Sequence, residues 1–279
     1  MKRFSLLLFI SIAFLNFSQN TYIPDDNFEQ SLIEYGYDDV MDDSVLTANI
    51  DEVLSILLLN ESISDLTGIA GFTSLTWLNC SSNQLSNLDL SQNTALAFLQ
   101  CYGNPLNSLD VSLNSDLQSL NCSNTGLTSL NLSQNMELRY LQCKDNFLTV
   151  LDLSNNIELN HLDCKNNQLT CLNVKNGNNS NIGPTQMITY LNPELTCIEV
   201  DSPSYSFGNW GNSDPQASFS VHCNNDCSSP TVGMIDITSS KKLVRILDMM
   251  GGETIFKPNT PLIYVYDDGS SKIICRIEG

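Results

Sequence analysis

Apolar side chains recur along this chain on one fixed frame, L-x-x-L-x-C-x-x-N-x-L-x-x-L-x-L. The block LTWLNCSSNQLSNLDLSQNTA, residues 75–95, returns as LAFLQCYGNPLNSLDVSLNSD, LQSLNCSNTGLTSLNLSQNME, LRYLQCKDNFLTVLDLSNNIE and LNHLDCKNNQLTCLNV. Cys80, Cys101, Cys122, Cys143 and Cys164 each follow the last by 21 residues. A strict period of this length predicts a solenoid, in which each coil buries its apolar face only against its neighbours. Leu78 and Cys80 alternate with Trp77, Asn79 and Ser81, as a half-buried strand requires. The later triplets, Leu88–Leu90, Leu109–Val111, Leu130–Leu132, Leu151–Leu153 and Leu172–Val174, predict a second short strand in every coil. Asn83, Asn104, Asn146 and Asn167 form an inner column, because an amide side chain can bond backbone groups left unpaired at a bend. Thr125 interrupts that column, and a local weakness is expected there.

The frame resembles the leucine-rich repeat, with Cys where many members of that family carry Leu. The resemblance implies a mostly β solenoid with two short strands per 21-residue coil, and it moves the functional question from catalysis to surface recognition. Inward-facing cysteines on such a coil are expected to pack as small reduced hydrophobes rather than as zinc ligands, since a straight column supplies no tetrahedral set.

The solenoid, expected over residues 53–200, needs covered ends. Residues 19–52 supply an N-terminal cap, with a short helix over DDNFEQSLIEYGYDD, Asp26 as its N-cap, Glu29 three residues later, and Phe28, Leu32 and Ile33 on its buried face. Downstream the period fails after Val174, KNGNNSNIGP reads as a loop, and Leu195–Val200 reads as one last coil. Residues 201–229 read as an irregular C-terminal cap and linker. Cys197 and Cys223 lie off the ladder register and can close this cap as a disulfide, with pairings to Cys227 or Cys275 left open.

The chain opens MKRFSLLLFISIAFLNFS, a basic pair followed by a short apolar run and a small residue, which fits a secretory signal peptide over residues 1–18. No other run reaches transmembrane length. Residues 230–279 leave the repeat. Ile263–Tyr266, then Asp-Asp-Gly-Ser, then Lys272–Ile277 is a β-hairpin pattern. KKLVRILDMMGGE, PNTPLIYVYDDGS and the terminal basic strand resemble the type A (Por-type) sorting domain of the type IX secretion system of Bacteroidota, though this chain has Gly251–Gly252 where members more often show Gly-Arg. That resemblance implies a small β-sandwich-like tail as the partner of the type IX machinery. It also implies a secreted protein, or one attached to the outer surface of a Gram-negative cell.

Charge narrows the partners. The chain carries 12 basic against 31 acidic residues, a net of −19, and 10 against 31, or −21, beyond residue 18. Nucleic acid and anionic lipid both call for basic surfaces, so neither is expected as a partner. Asp89, Asp110 and Asp152 alternate with Asn131 and Asn173 and form no dense oxygen cage for calcium. With two histidines, His161 and His222, and none of the familiar hydrolase, phosphate-loop or metalloprotease motifs, no enzyme, no metal site and no cofactor are expected.

Recognition is expected on the first strand of each coil. One column there reads Trp77, Phe98, Ser119, Tyr140, His161; a second reads Asn79, Gln100, Asn121, Gln142, Asp163; a third reads Ser81, Tyr102, Ser123, Lys144, Lys165. All three are expected to be exposed. Aromatic rings supply rigid contact area and amides supply adaptable hydrogen bonds, a mixture that suits a protein or a carbohydrate ligand in adhesion. The competing expectation is that the rings only brace neighbouring strands, in a structural surface-layer protein without a discrete ligand.

Overall fold

A computed structural model describes residues 19–224, residue 227, and the strand residues 243–247, 261–266 and 271–275. The signal peptide expected over residues 1–18 lies outside the described residues, as do most residues of the expected sorting domain. The chain divides into two compact units, one ending at Ser229 and the other beginning at Pro230.

The first unit opens with β1 (Asn20–Tyr22), α1 (Asp26–Glu34), β2 (Ser44–Leu46) and a single helical turn, α2 (Thr47–Ile50). The coil strands follow: β3 (Ser55–Leu57), β4 (Trp77–Asn79), β5 (Phe98–Gln100), β6 (Ser119–Asn121), β7 (Tyr140–Gln142), β8 (Val150–Asp152), β9 (His161–Asp163), β10 (Cys171–Asn173), β11 (Met187–Ile188) and β12 (Cys197–Glu199). Helix α3 (Pro203–Asn209) and β13 (Ser218–Ser220) end this unit. The second unit contains β14 (Leu243–Leu247), β15 (Pro261–Tyr266) and β16 (Ser271–Cys275) as one antiparallel sheet, so β15 and β16 pair where the hairpin was expected.

Two parallel sheets flank the solenoid. One has seven strands in the order β11-β9-β7-β6-β5-β4-β3, and the other has four, β13-β12-β10-β8. The repeat sets the register: Leu78 faces Leu99, then Leu120, Leu141 and Leu162. These leucines are fully buried, as are the five column cysteines, and together they form a continuous core. Two residues after each of those cysteines the backbone turns left-handed, at Ser82, Gly103, Asn124, Asp145 and Asn166. Gly, Asn and Asp tolerate that conformation best, which fixes where each coil bends.

The second sheet corrects the expectation of two strands per coil. It begins only at β8. The residue before the buried leucine is Asn87, Ser108 or Ser129 in the earlier coils and Val150 or Cys171 in β8 and β10. Asn and Ser are polar and fit a half-buried strand poorly, whereas apolar Val and Cys pack on the pleated surface. Stacking also runs further than the 21-residue period. β11 pairs with β9 beyond the loop that breaks the period, and β13, inside the segment expected to be an irregular cap, pairs with β12.

Two asparagine ladders bond the bends. Asn146 is typical of the first: its amide nitrogen donates to the carbonyls of Cys122 and Cys143 at 2.9 and 3.0 Å, and its oxygen accepts from the amides of Thr125 and Leu127 at 3.0 Å. The second ladder, Asn93, Asn114, Asn135 and Asn156, sits on the opposite bend, and each member donates to two carbonyls of the preceding coils. Sequence reasoning overlooked it, although the S-x-N signature recurs in the first four blocks.

The N-terminal cap needs one correction. The N-cap of α1 is Asp25, not Asp26. Its Oδ1 accepts from the amides of Asn27 and Phe28, and its Oδ2 accepts from the amide and hydroxyl of Ser64 and the amide of Asp65. One carboxylate therefore starts the helix and pins it to the first coil. Glu29 does not close a capping box; it accepts from the amides of Asp42 and Ser44. Phe28 and Leu32 are buried, while Ile33 is only half-buried.

Candidate functional site

The seven-stranded sheet presents the expected recognition face. Strict register places Trp77, Phe98, Ser119, Tyr140 and His161 side by side across five strands. Phe98 is 41% exposed, and the other four are half-buried. Ser119 is the one small member, so the rings of Phe98 and Tyr140 flank a gap. That gap opens into a groove of about 520 Å³, lined by Phe98, Gln100, Gln118, Ser119, Asn121, Arg139, Tyr140 and Gln142. Tyr140 stacks on His161 with centroids 4.1 Å apart and planes 11° from parallel. Burial lowers the His161 pKa from its ordinary value and outweighs the opposing pull of Asp163, so the ring is neutral at pH 7. Its Nε2 is buried with no partner among the described residues.

The second column is less open than expected. Asn79 and Asp163 are buried, while Gln100, Asn121 and Gln142 are half-buried. The short members fold back onto their own strand: Asn79, Asn121 and Asp163 accept from the amides of Ser81, Ser123 and Lys165. The longer glutamines point past that turn; Gln100 accepts from Asn79 at 3.1 Å, and Gln142 makes no side-chain bond among the described residues. The third column is corrected too. Ser81 and Ser123 are buried, while Tyr102, Lys144 and Lys165 are half-buried. Lys165 lies 5.6 Å from the centre of the Tyr190 ring, a residue that sequence reasoning did not single out.

The cysteine column is structural. All five thiols are free and buried, and Cys80, Cys101 and Cys122 donate weakly to the carbonyls of Gln100, Asn121 and Gln142 in the next coil. Burial pushes the thiols of Cys80 and Cys122 up to about 12 and holds them protonated. The remaining cysteines of this unit are paired. Cys197 bonds Cys223, and Cys171 bonds Cys227. The second pair was hidden because Cys171 sits inside the repeat block.

On the opposite flank Asp89 and Asp110 line a smaller cleft of about 280 Å³. Their carboxylates accept from the amides of Ser91 and Ser112, which hold both pKa values below the ordinary range. Among the described residues no three His, Cys, Asp or Glu side chains converge to hold a metal ion, and no helix is long and apolar enough to cross a membrane.

No family model matches the chain. Internalin J of Listeria monocytogenes serotype 4b (strain F2365) is 41% identical over 77 residues, which is 28% of this chain and 8% of that protein. The solved functional domain of InlJ from Listeria monocytogenes, which includes a cysteine ladder, is 35% identical; the match covers 66% of this chain and 38% of that one with a TM-score of 0.50. Internalin C2 from the same species matches at 19% identity over 73% of this chain and 91% of its own, with a TM-score of 0.54, a likeness of fold. The chain thus spans a small part of the curated relative it matches. Twenty-one-residue coils, paired asparagine ladders and these likenesses together make the chain a leucine-rich-repeat protein with an internalin-like β-solenoid.

Proposed function

We propose that this is an exported surface protein that binds a partner protein non-covalently through the open face of its seven-stranded sheet, in adhesion. One observation carries the reading: Trp77, Phe98, Tyr140 and His161 stand in register beside the groove. Exposed and half-buried aromatics beside an arginine have the composition of an interface core, where Tyr, Trp and Arg dominate binding energy. Likeness to internalin J and to its functional domain supports a surface binding role. Export rests on the apolar leader at residues 1–18, and passage across an outer membrane rests on the likeness of residues 230–279 to a type IX sorting tail.

The test replaces Trp77, Phe98 and Tyr140 by Ala in the intact protein and compares capture from a surface-protein extract and from a glycan array. Both proteins must melt at the same temperature. Loss of a captured protein in the variant locates the binding face. Equal capture by both proteins, or none by either, removes this reading and favours a structural surface component.

A further inference from the structure

Residues 19–229 contain 25 acidic side chains and four basic ones, Arg139, Lys144, Lys165 and Lys175. In a unit so acidic, a scattered cation would find a carboxylate easily. Lys175 does: it lies 3.8 Å from Glu199 and donates to the carbonyl of Val221 at 3.0 Å. The other three form no ion pair among the described residues. All three border the same face at adjacent strands. Arg139 immediately precedes β7, while Lys144 and Lys165 follow β7 and β9 by two residues. Asp163 and Asp145 act on Lys165 through space without closing an ion pair; their oxygens accept from the Lys165 amide and from Asn166 at 2.8 Å, and the lysine side chain lies against the Tyr190 ring.

We infer that this end of the face docks an acidic peptide segment of the partner protein, with Arg139 on one lip of the groove, Lys144 and Lys165 on the other, and the Phe98–Ser119–Tyr140 gap between them. The inference deepens the binding reading above and rests on it. Cations that close no ion pair among the described residues of a strongly anionic unit complement a partner that brings its own carboxylates. Arg139 can take a carboxylate through two parallel N–H donors, and the lysines act as point charges. The acids elsewhere on the solenoid are screened beyond roughly 8 Å at physiological salt, so the local patch decides. The gap sets what accompanies the charge. Phe98 and Tyr140 belong to strands roughly 9.6 Å apart, two strand spacings, with only Ser119 between them. That space admits one aromatic or branched side chain between two rings. A peptide is favoured over a glycan because the amide oxygens of Asn79 and Asn121 are engaged in their own turns, which interrupts the row of acceptors open to sugar hydroxyls.

The test titrates the intact protein with fluorescein-labelled poly(Glu,Tyr), poly(Glu) and polygalacturonate at about 0.15 M salt, reading anisotropy. Poly(Glu,Tyr) should bind tightest. Its affinity should fall about tenfold or more in Arg139→Gln/Lys144→Gln/Lys165→Gln and again in Ser119→Trp, which fills the gap, and it should not move in Lys175→Gln. The three lip side chains are exposed or half-buried, and equal melting temperatures confirm that the variants fold. Absence of poly(Glu,Tyr) binding, an unchanged triple variant, or tighter binding of polygalacturonate through the same residues overturns the inference. If the triple variant still captures the protein that the aromatic variant loses, the face reading stands and the acidic-segment inference falls.

Discussion

Thr125 is the one break in the first asparagine ladder, and replacing it with Asn should stabilise the solenoid. In the present chain the Thr125 hydroxyl donates to the carbonyl of Cys122 at 2.7 Å and to Asn146 Oδ1 at 3.2 Å. It offers no amide oxygen to the coil before it, so the amide of Leu106 turns back onto the carbonyl of Asn104 at 2.9 Å. Intact ladder positions do more: Asn167 accepts from the amide of Leu148 and donates to the carbonyls of Cys143 and Cys164, each at 3.0 Å. Thr125→Asn would add a donor to the carbonyl of Cys101 and an acceptor for Leu106. It would keep the bond to Cys122 and lose the one to Asn146. A net gain of at most one buried hydrogen bond, together with better geometry for the Leu106 amide, corresponds to about 0.5–1.5 kcal/mol. For a unit of this size that raises the melting temperature by about 1–6 °C. Urea denaturation followed by circular dichroism reads the gain, and slowed hydrogen exchange at the Leu106 amide localises it. The mirror change, Asn167→Thr, should lose about 1–3 kcal/mol by stranding the Leu148 amide. A neutral or destabilising Thr125→Asn with unchanged Leu106 exchange refutes the account of the ladder.

Asp25→Ala removes both the helix cap and its tie to Ser64, and should cost about 2–4 kcal/mol by thermal melting. Burial raises the Asp25 pKa, but the bonds from Ser64, Phe28 and Asp65 more than offset it and leave the group below its ordinary 3.8. Its contribution is therefore complete above pH 3.8 and disappears as pH falls through the lower folded value; a melting-temperature profile against pH should lose that acid limb in Asp25→Ala. Replacing Cys197 and Cys223 by Ser opens a link spanning 26 residues and should lower stability by about 3–4 kcal/mol, seen as a lower melting temperature that reductant no longer changes at that site. Leu141→Ala leaves a cavity in the fully buried leucine row and should cost about 2–5 kcal/mol in urea denaturation, whereas Leu113→Ala at an exposed position should cost almost nothing.

The repeat was legible because every coil solves the same packing problem with the same residues. Leu78, Cys80 and Asn83 recur at fixed spacing, and that alone predicts the stacked strands, the core and the first asparagine ladder. What escaped depends on side-chain reach and on neighbours distant in sequence. Asp25 outcompetes Asp26 as the cap because its second oxygen meets Ser64, and no local pattern reveals that bond. Asn79 and Gln100 read alike as exposed amides, yet the shorter one folds into its own turn. Val150 and Cys171 carried a signal for the second sheet that Asn87, Ser108 and Ser129 lack, but one residue per coil is easily lost in a strong leucine period. At the face, the aromatic column was readable from the blocks. The cationic lip was not, since Arg139 belongs to a column otherwise filled by Thr76, Ala97, Gln118 and Asn160.

The order of the cysteines along the chain has a consequence for how the molecule is made. The five that stay reduced, Cys80 to Cys164, all precede the four that pair, Cys171 to Cys227. A chain that folds as it emerges from its N-terminal side stacks each ladder coil on the previous one and shuts its thiol away from oxidants. Only afterwards do the C-terminal four become available to each other. Folding in that order would sort nine chemically identical groups into two fates by position alone. Refolding the whole chain at once from denaturant in the presence of an oxidant removes that ordering and exposes every thiol to every other. Scrambled isomers are the expected result of that route, and folding under reductant followed by late oxidation restores the order that synthesis provides.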